Sequence, residues 1–138
     1  DSNNLQSSQE VQFPYLECPK LRNLILFGNQ FDGPITSFEG CPNLRQLDLS
    51  RNLFKSYSKG SLLNNKFLSN INISNNSLDK NSIFVFILDM LENWKLNNRT
   101  KVTLNFLGNN YTPSDIDNNK EVKDAINFLV SQSWSITY

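Results

Sequence analysis

The chain has 138 residues, a size that suits one domain and lets roughly two-thirds of the unfolded surface be buried. Lysine plus arginine and aspartate plus glutamate balance at 13 each and histidine is absent, so neither a nucleic-acid footprint nor an acidic tail is indicated. The longest unbroken apolar run, Ile83 to Leu88, falls far short of the ~20 residues needed to cross a bilayer, which argues against membrane insertion.

Taken in chain order, Asp1-Ser2-Asn3-Asn4-Leu5 has the form of the end of a repeat, and Gln6 to Gln12 is polar. Residues 1–12 are therefore expected to be a residual upstream repeat or a loose N-terminal segment, the chain being a piece of something longer. From Phe13 onward one frame returns: Leu21-x-x-Leu24-x-Leu26-x-x-Asn29-x-Phe31, Leu44-x-x-Leu47-x-Leu49-x-x-Asn52-x-Phe54, and Leu68-x-x-Ile71-x-Ile73-x-x-Asn76-x-Leu78. A degenerate copy, Lys101-x-x-Leu104-x-Phe106-x-x-Asn109-x-Tyr111, keeps the strand and the asparagine. This is the leucine-rich repeat pattern, and residues 13–111 are assigned to it. Alternate strand residues (Leu24 and Leu26, Leu47 and Leu49, Ile71 and Ile73, Leu104 and Phe106) are expected to point inward, where one coil alone cannot bury them. Asn29, Asn52, Asn76 and Asn109 are expected to turn inward and bond the backbone groups left over where the chain leaves each strand.

Glycine and proline in Phe31-Asp32-Gly33-Pro34 and Gly40-Cys41-Pro42 predict extended chain or short 3₁₀ turns on the convex side. Cys18 and Cys41 each stand three positions before the first leucine of a repeat. They are read as a ladder of small buried residues in adjacent coils or, alternatively, as a disulfide between them, and nothing near them suggests a metal site. After Leu78 the spacing of Ile83, Phe86, Ile87, Met90, Leu91 and Trp94 predicts a helix capped within Asp79 to Ser82, with Asp89 and Glu92 on its solvent face. It lengthens this coil to about 33 residues, Asn76 to Asn109, against 23 or 24 before it.

Residues 112–138 are expected to form a C-terminal cap: a helix with Val122, Ala125, Ile126, Leu129 and Val130 on one face, then the alternating strand Trp134 to Tyr138. Asp117, Lys120, Glu121 and Asp124 would form its polar exterior, and Trp134 would plug the core. The predicted architecture is an α/β solenoid, a right-handed leucine-rich repeat with short parallel strands, two helices near the C-terminus and a terminal capping strand.

The stretch from Asn76-Ser77-Leu78-Asp79 to Ile87-Leu88, then Val102-Thr103-Leu104-Asn105, Gly108-Asn109-Asn110, Pro113-Ser114 and Leu129 to Thr137 resembles the closing module of leucine-rich repeat proteins of bacteriophage virions and bacterial surfaces. The likeness covers roughly residues 13–138. Ser133 stands where that group has glycine, and Tyr111-Thr112 replaces small residues. The resemblance implies a role in binding or assembly on a virion (tail or fibre) or a bacterial surface, without catalysis and without cofactor.

Catalytic patterns are scarce: there is no histidine, no Gly-x-Ser-x-Gly and no phosphate-cradling glycine loop, and Asp32 with Glu39 is a poor acid pair on a turn. An enzyme is not expected. The outward strand residues form columns on the concave side: Ile25, Asp48, Asn72 and Asn105; Phe27, Ser50, Ser74 and Leu107; and, flanking them, Asn23, Gln46, Asn70 and Thr103. These columns are the candidate binding residues, for a protein or carbohydrate on a cell surface. Contacts to other virion subunits, as a structural protein or a homo-oligomer, are an alternative, and an intracellular scaffold is a third reading compatible with reduced cysteines. The sequons at Asn72, Asn75, Asn98 and Asn110 follow from asparagine abundance and predict no glycosylation.

Overall fold

The computed structural model describes residues 11–138; the expectations for Asn3, Leu5 and the rest of residues 1–10 fall outside the described residues. The chain forms a mixed α/β structure with two parallel sheets. Strands β2 (Asn23–Ile25), β4 (Gln46–Asp48), β6 (Asn70–Asn72), β7 (Thr103–Asn105) and β8 (Ser135–Thr137) lie side by side in that order. A second sheet takes β1 (Val11–Gln12), β3 (Phe31–Ile35) and β5 (Leu53–Tyr57).

The register of the larger sheet follows the repeat. Leu24 pairs with Leu47, Leu47 with Ile71, Ile71 with Leu104, and Leu104 with Ile136. Because side chains alternate across a strand, this one column faces inward and its neighbours face out. Leu47, Leu49, Ile71, Ile73, Leu104 and Phe106 are fully buried, while Leu24 on the edge strand and Leu26 just beyond it are only half-buried.

The extended chain expected on the other side of each coil is organised as strands β3 and β5. Gly33 supplies a left-handed turn (φ 80) ahead of Pro34, and the register shifts there so that Lys55 bulges from β5. Asp32 is buried and paired with Lys55 at 3.3 Å, so it is neither solvated nor an acid partner for the exposed Glu39. Between the sheets, Phe13, Phe31, Phe38 and Phe54 pack ring on ring, with centroids 5.2–6.3 Å apart for the pairs Phe13–Phe31 and Phe31–Phe54.

Helix α1 (Lys80–Asn97) takes the place that strands hold in the earlier coils. Asp79 caps it, accepting from the Ser82 amide at 2.8 Å. Phe86 bridges the coils, edge-on to Tyr57 at 5.3 Å and to Phe106 at 5.9 Å. Asp89 corrects the expected solvent face: it is buried, because it lies three residues beyond Phe86 and seven beyond Ser82, on the inward side of the helix. Glu92 is exposed as expected.

Three helices occur where two were expected, since Pro113–Asp117 forms a short α2 closed by a capping box between Thr112 and Asp115. Helix α3 (Lys120–Ser131) buries Val122, Ala125, Ile126 and Leu129. Val130 departs from the expectation and is exposed, being about 100° round the helix from Leu129. Trp134 is buried and donates to the Arg99 carbonyl at 2.7 Å. Ser133 before it has φ 68, the left-handed backbone in which glycine is at ease.

Cys18 and Cys41 are free thiols. Cys41 is buried, but Cys18 is exposed, a correction to the expected buried ladder; its coil has a described neighbour on one side only. The third member of that column is Asn65, three positions before Leu68, which sequence reading passed over. It is buried and donates to the carbonyls of Phe38 and Cys41, both at 3.0 Å.

Candidate functional site

The four repeat asparagines form a ladder through the coils. Asn52 Nδ2 reaches the carbonyls of Leu26 and Leu49 at 3.0 Å, while its Oδ1 accepts from the Phe31 amide at 3.2 Å. Asn76 repeats the pattern one coil on, with Leu49, Ile73 and the Phe54 amide. Asn109 does so again with Ile73, Phe106 and the Leu78 amide, and Asn29 bonds the Leu26 carbonyl at 2.9 Å. The Asn52, Asn76 and Asn109 amides therefore each tie one repeat to its neighbour, while the Asn29 bond to Leu26 stays within its own repeat.

On that face, parallel pairing stacks Asn23, Gln46, Asn70 and Thr103 in one column and Ile25, Asp48, Asn72 and Asn105 in the next. Rungs follow at the strand spacing of about 4.8 Å. The pairing with β8 adds Ser135 and Thr137 to the ends of these columns. Sequence reading missed both, although the alternation of Trp134 to Tyr138 carried the signal.

Three side chains of the central column share one conformation. Asp48 Oδ1 accepts from the Ser50 amide at 2.9 Å and from its hydroxyl at 2.6 Å; Asn72 Oδ1 does the same with Ser74, at 3.0 and 2.6 Å. Asn105 Oδ1 accepts from the Leu107 amide at 3.1 Å. These turns engage one oxygen of each side chain, and no hydrogen bond is formed among the described residues by the second oxygen of Asp48 or the amide nitrogens of Asn72 and Asn105. Ser50 and Ser74 are themselves buried and hold Asp48 and Asn72 through their hydroxyls; this corrects their expected place as exposed members of an outer column. Phe27 and Ile25 are half-buried, and Leu107 is 51% exposed at the far end of its column.

A second surface, not foreseen from sequence, is an apolar groove of about 390 Å³ between α1 and α3, lined by Leu91, Trp94, Ala125 and Phe128 under Lys95, Glu121 and Asp124. Trp94 meets Phe128 edge-on at 4.7 Å. Leu96 and Val130 are exposed near the C-terminal ends of the same helices. Neighbouring residues form a polar clamp: Asp89 accepts from the Tyr57 hydroxyl at 2.8 Å and the Gly60 amide at 2.7 Å, and Asn93 donates to the Leu62 carbonyl at 2.9 Å. Burial pushes the Asp89 carboxyl up, against the lowering effect of those two donors. Burial also lifts the Tyr57 hydroxyl well above its ordinary value, with the adjacent Asp89 adding to it. Tyr111, beside Phe106, is pushed up to about 12 by burial and then by Tyr138.

Among the described residues no group of three histidine, cysteine, aspartate or glutamate side chains is placed to hold a metal ion, and no helix is long and apolar enough to cross a membrane. Compared with known protein families the chain matches none, and no curated protein matches it either.

Proposed function

We propose that the chain is a right-handed leucine-rich repeat solenoid that works as a non-enzymatic recognition module, binding a protein or glycan through the concave face of its five-stranded sheet. The observation that carries this reading is the matched set Asp48, Asn72 and Asn105. Three successive rungs present hydrogen-bonding atoms in one direction, each held by its own backbone before any ligand arrives. Such preorganisation lowers the entropy lost on binding. The setting implied by the sequence resemblance is a phage tail or fibre, or a bacterial surface.

The test is saturable binding of the labelled chain to bacterial envelope preparations, compared with the Asp48→Ala/Asn72→Ala double variant. Loss of about tenfold or more in affinity is expected, as for truncation of central polar contacts. A double variant that stays folded and binds like the parent removes the concave face from the mechanism.

A second reading, a structural subunit that contacts sister copies, is favoured by one observation. The apolar α1–α3 groove and the nearby exposed Leu96 and Val130 put uncovered apolar surface on the side away from the proposed ligand face. The molecular mass in solution distinguishes the two readings.

A further inference from the structure

A formal net charge of zero conceals a segregation. The turns that lead into the strands of the larger sheet carry Lys20 and Arg22 before β2, Arg45 before β4, Lys66 before β6, and Arg99 and Lys101 before β7. No aspartate or glutamate lies in 18–22, 41–45, 63–69 or 96–102, and the nearest, Glu17 and Glu39, stand just ahead of the first two turns. The parallel rungs bring these turns together: the Arg45 amide donates to the Arg22 carbonyl and the Ser69 amide to the Arg45 carbonyl, both at 2.7 Å, and the Thr103 amide to the Ser69 carbonyl at 2.9 Å. All six are exposed except Arg99, which is partly covered. Among the described residues none of the six forms an ion pair with a carboxylate.

The cations also crowd one another. The Arg45 guanidinium lies 5.6 Å and the Lys66 ammonium 5.4 Å from the centre of the same Phe67 ring. Arg99 is held below its ordinary value by burial and then by Arg45. Like charges gathered without a counter-charge are costly in the free protein, and an anion relieves that cost.

We propose that this basic rim, at the N-terminal ends of the strands, binds a linear anionic polysaccharide running across the coils. The spacing favours a polymer, because equivalent turns recur at about 4.8 Å and suit a chain with a charged group on successive units. Phe67 favours a polysaccharide over a polynucleotide: the exposed ring of the patch is already flanked by Arg45 and Lys66, so it does not offer the open aromatic face on which bases stack. The inference rests on the rim alone and stands whether or not the Asp48, Asn72 and Asn105 column binds a ligand.

The experiment measures binding of the full chain to fluorescent heparin, neutral dextran and single-stranded DNA between roughly 50 and 200 mM salt. Heparin is expected to bind, more weakly as salt rises, and dextran not to bind. The Arg45→Gln/Lys66→Gln/Arg99→Gln variant should lose about tenfold or more in heparin affinity, and a Lys59→Gln/Lys80→Gln/Lys120→Gln variant of equal net charge much less. Lys20→Gln/Lys101→Gln, which leaves the Phe67 cluster intact, provides a second variant on the rim and should also weaken heparin binding. Thermal unfolding checks that each variant is folded. No heparin binding at low salt, equal losses in the two triple variants, dextran binding as strong as heparin, or tighter binding of DNA than of heparin would each overturn the proposal.

Discussion

Asn76 shows how one side chain closes several gaps. Its amide nitrogen reaches three carbonyls from two coils, and its oxygen takes the Phe54 amide, all out of solvent. Truncation leaves these groups buried without partners, which costs far more than a surface hydrogen bond contributes. Asn76→Ala is therefore expected to lose about 3 kcal/mol of stability, read as a lower urea midpoint. The exposed Asn64, changed in the same way, serves as the comparison.

At the scale of elements, α1 is fastened by its polar stripe as well as its apolar one. Ser82, Asp89 and Asn93 satisfy the chain that follows β5: Ser82 accepts from the Tyr57 amide, Asp89 from Gly60, and Asn93 donates to Leu62 and Leu63. A strand would have met those groups with a ladder, and a helix meets them with side chains. The raised Asp89 carboxyl has a consequence for pH. The folded state holds this proton more tightly than the unfolded state, so its contribution is greatest below the ordinary value of 3.8 and falls as pH rises from there towards the raised folded value. Asp89→Asn, which keeps an oxygen for Tyr57 and Gly60, should flatten this part of the profile. Melting temperatures taken from about pH 3.5 to 7 for the parent and the variant make the comparison; parallel profiles would show that Asp89 is not the group responsible.

For the whole molecule, the decisive feature is the extension of the larger sheet by β8, its last strand. Ser135, Ile136 and Thr137 pair with β7, Tyr138 stacks on Phe106 with ring centres 5.7 Å apart, and Trp134 anchors the strand beneath helix α3. Lys123 of α3 donates to the Tyr138 hydroxyl at 2.9 Å. Trp134→Ala should cost about 3–5 kcal/mol, by lost burial and the cavity left behind. Because one parallel sheet runs from β2 through to β8, the loss should appear in the main cooperative transition, with tryptophan fluorescence and circular dichroism moving together. A separate early transition of the C-terminal segment would show instead that the last strand docks independently.

By itself the sequence determined the elements whose cause is local and periodic. The 23- and 24-residue return of leucine and asparagine set the inward column Leu24, Leu47, Ile71, the degenerate copy 33 residues on added Leu104, and the 3.6-residue spacing after Asp79 set α1. The register of the columns that start at Asn23 and Ile25 was legible for the same reason, since alternation along a strand settles which face a residue takes. What only the tertiary structure decided involves partners far apart in the chain: Asp89 buried under Tyr57 and Gly60, Asn65 joined to the cysteine column, and basic turns from four repeats gathered into one rim. A polar side chain carries no periodic mark of its own, and its place is set by which unpaired backbone groups and charges the folded coils bring within reach.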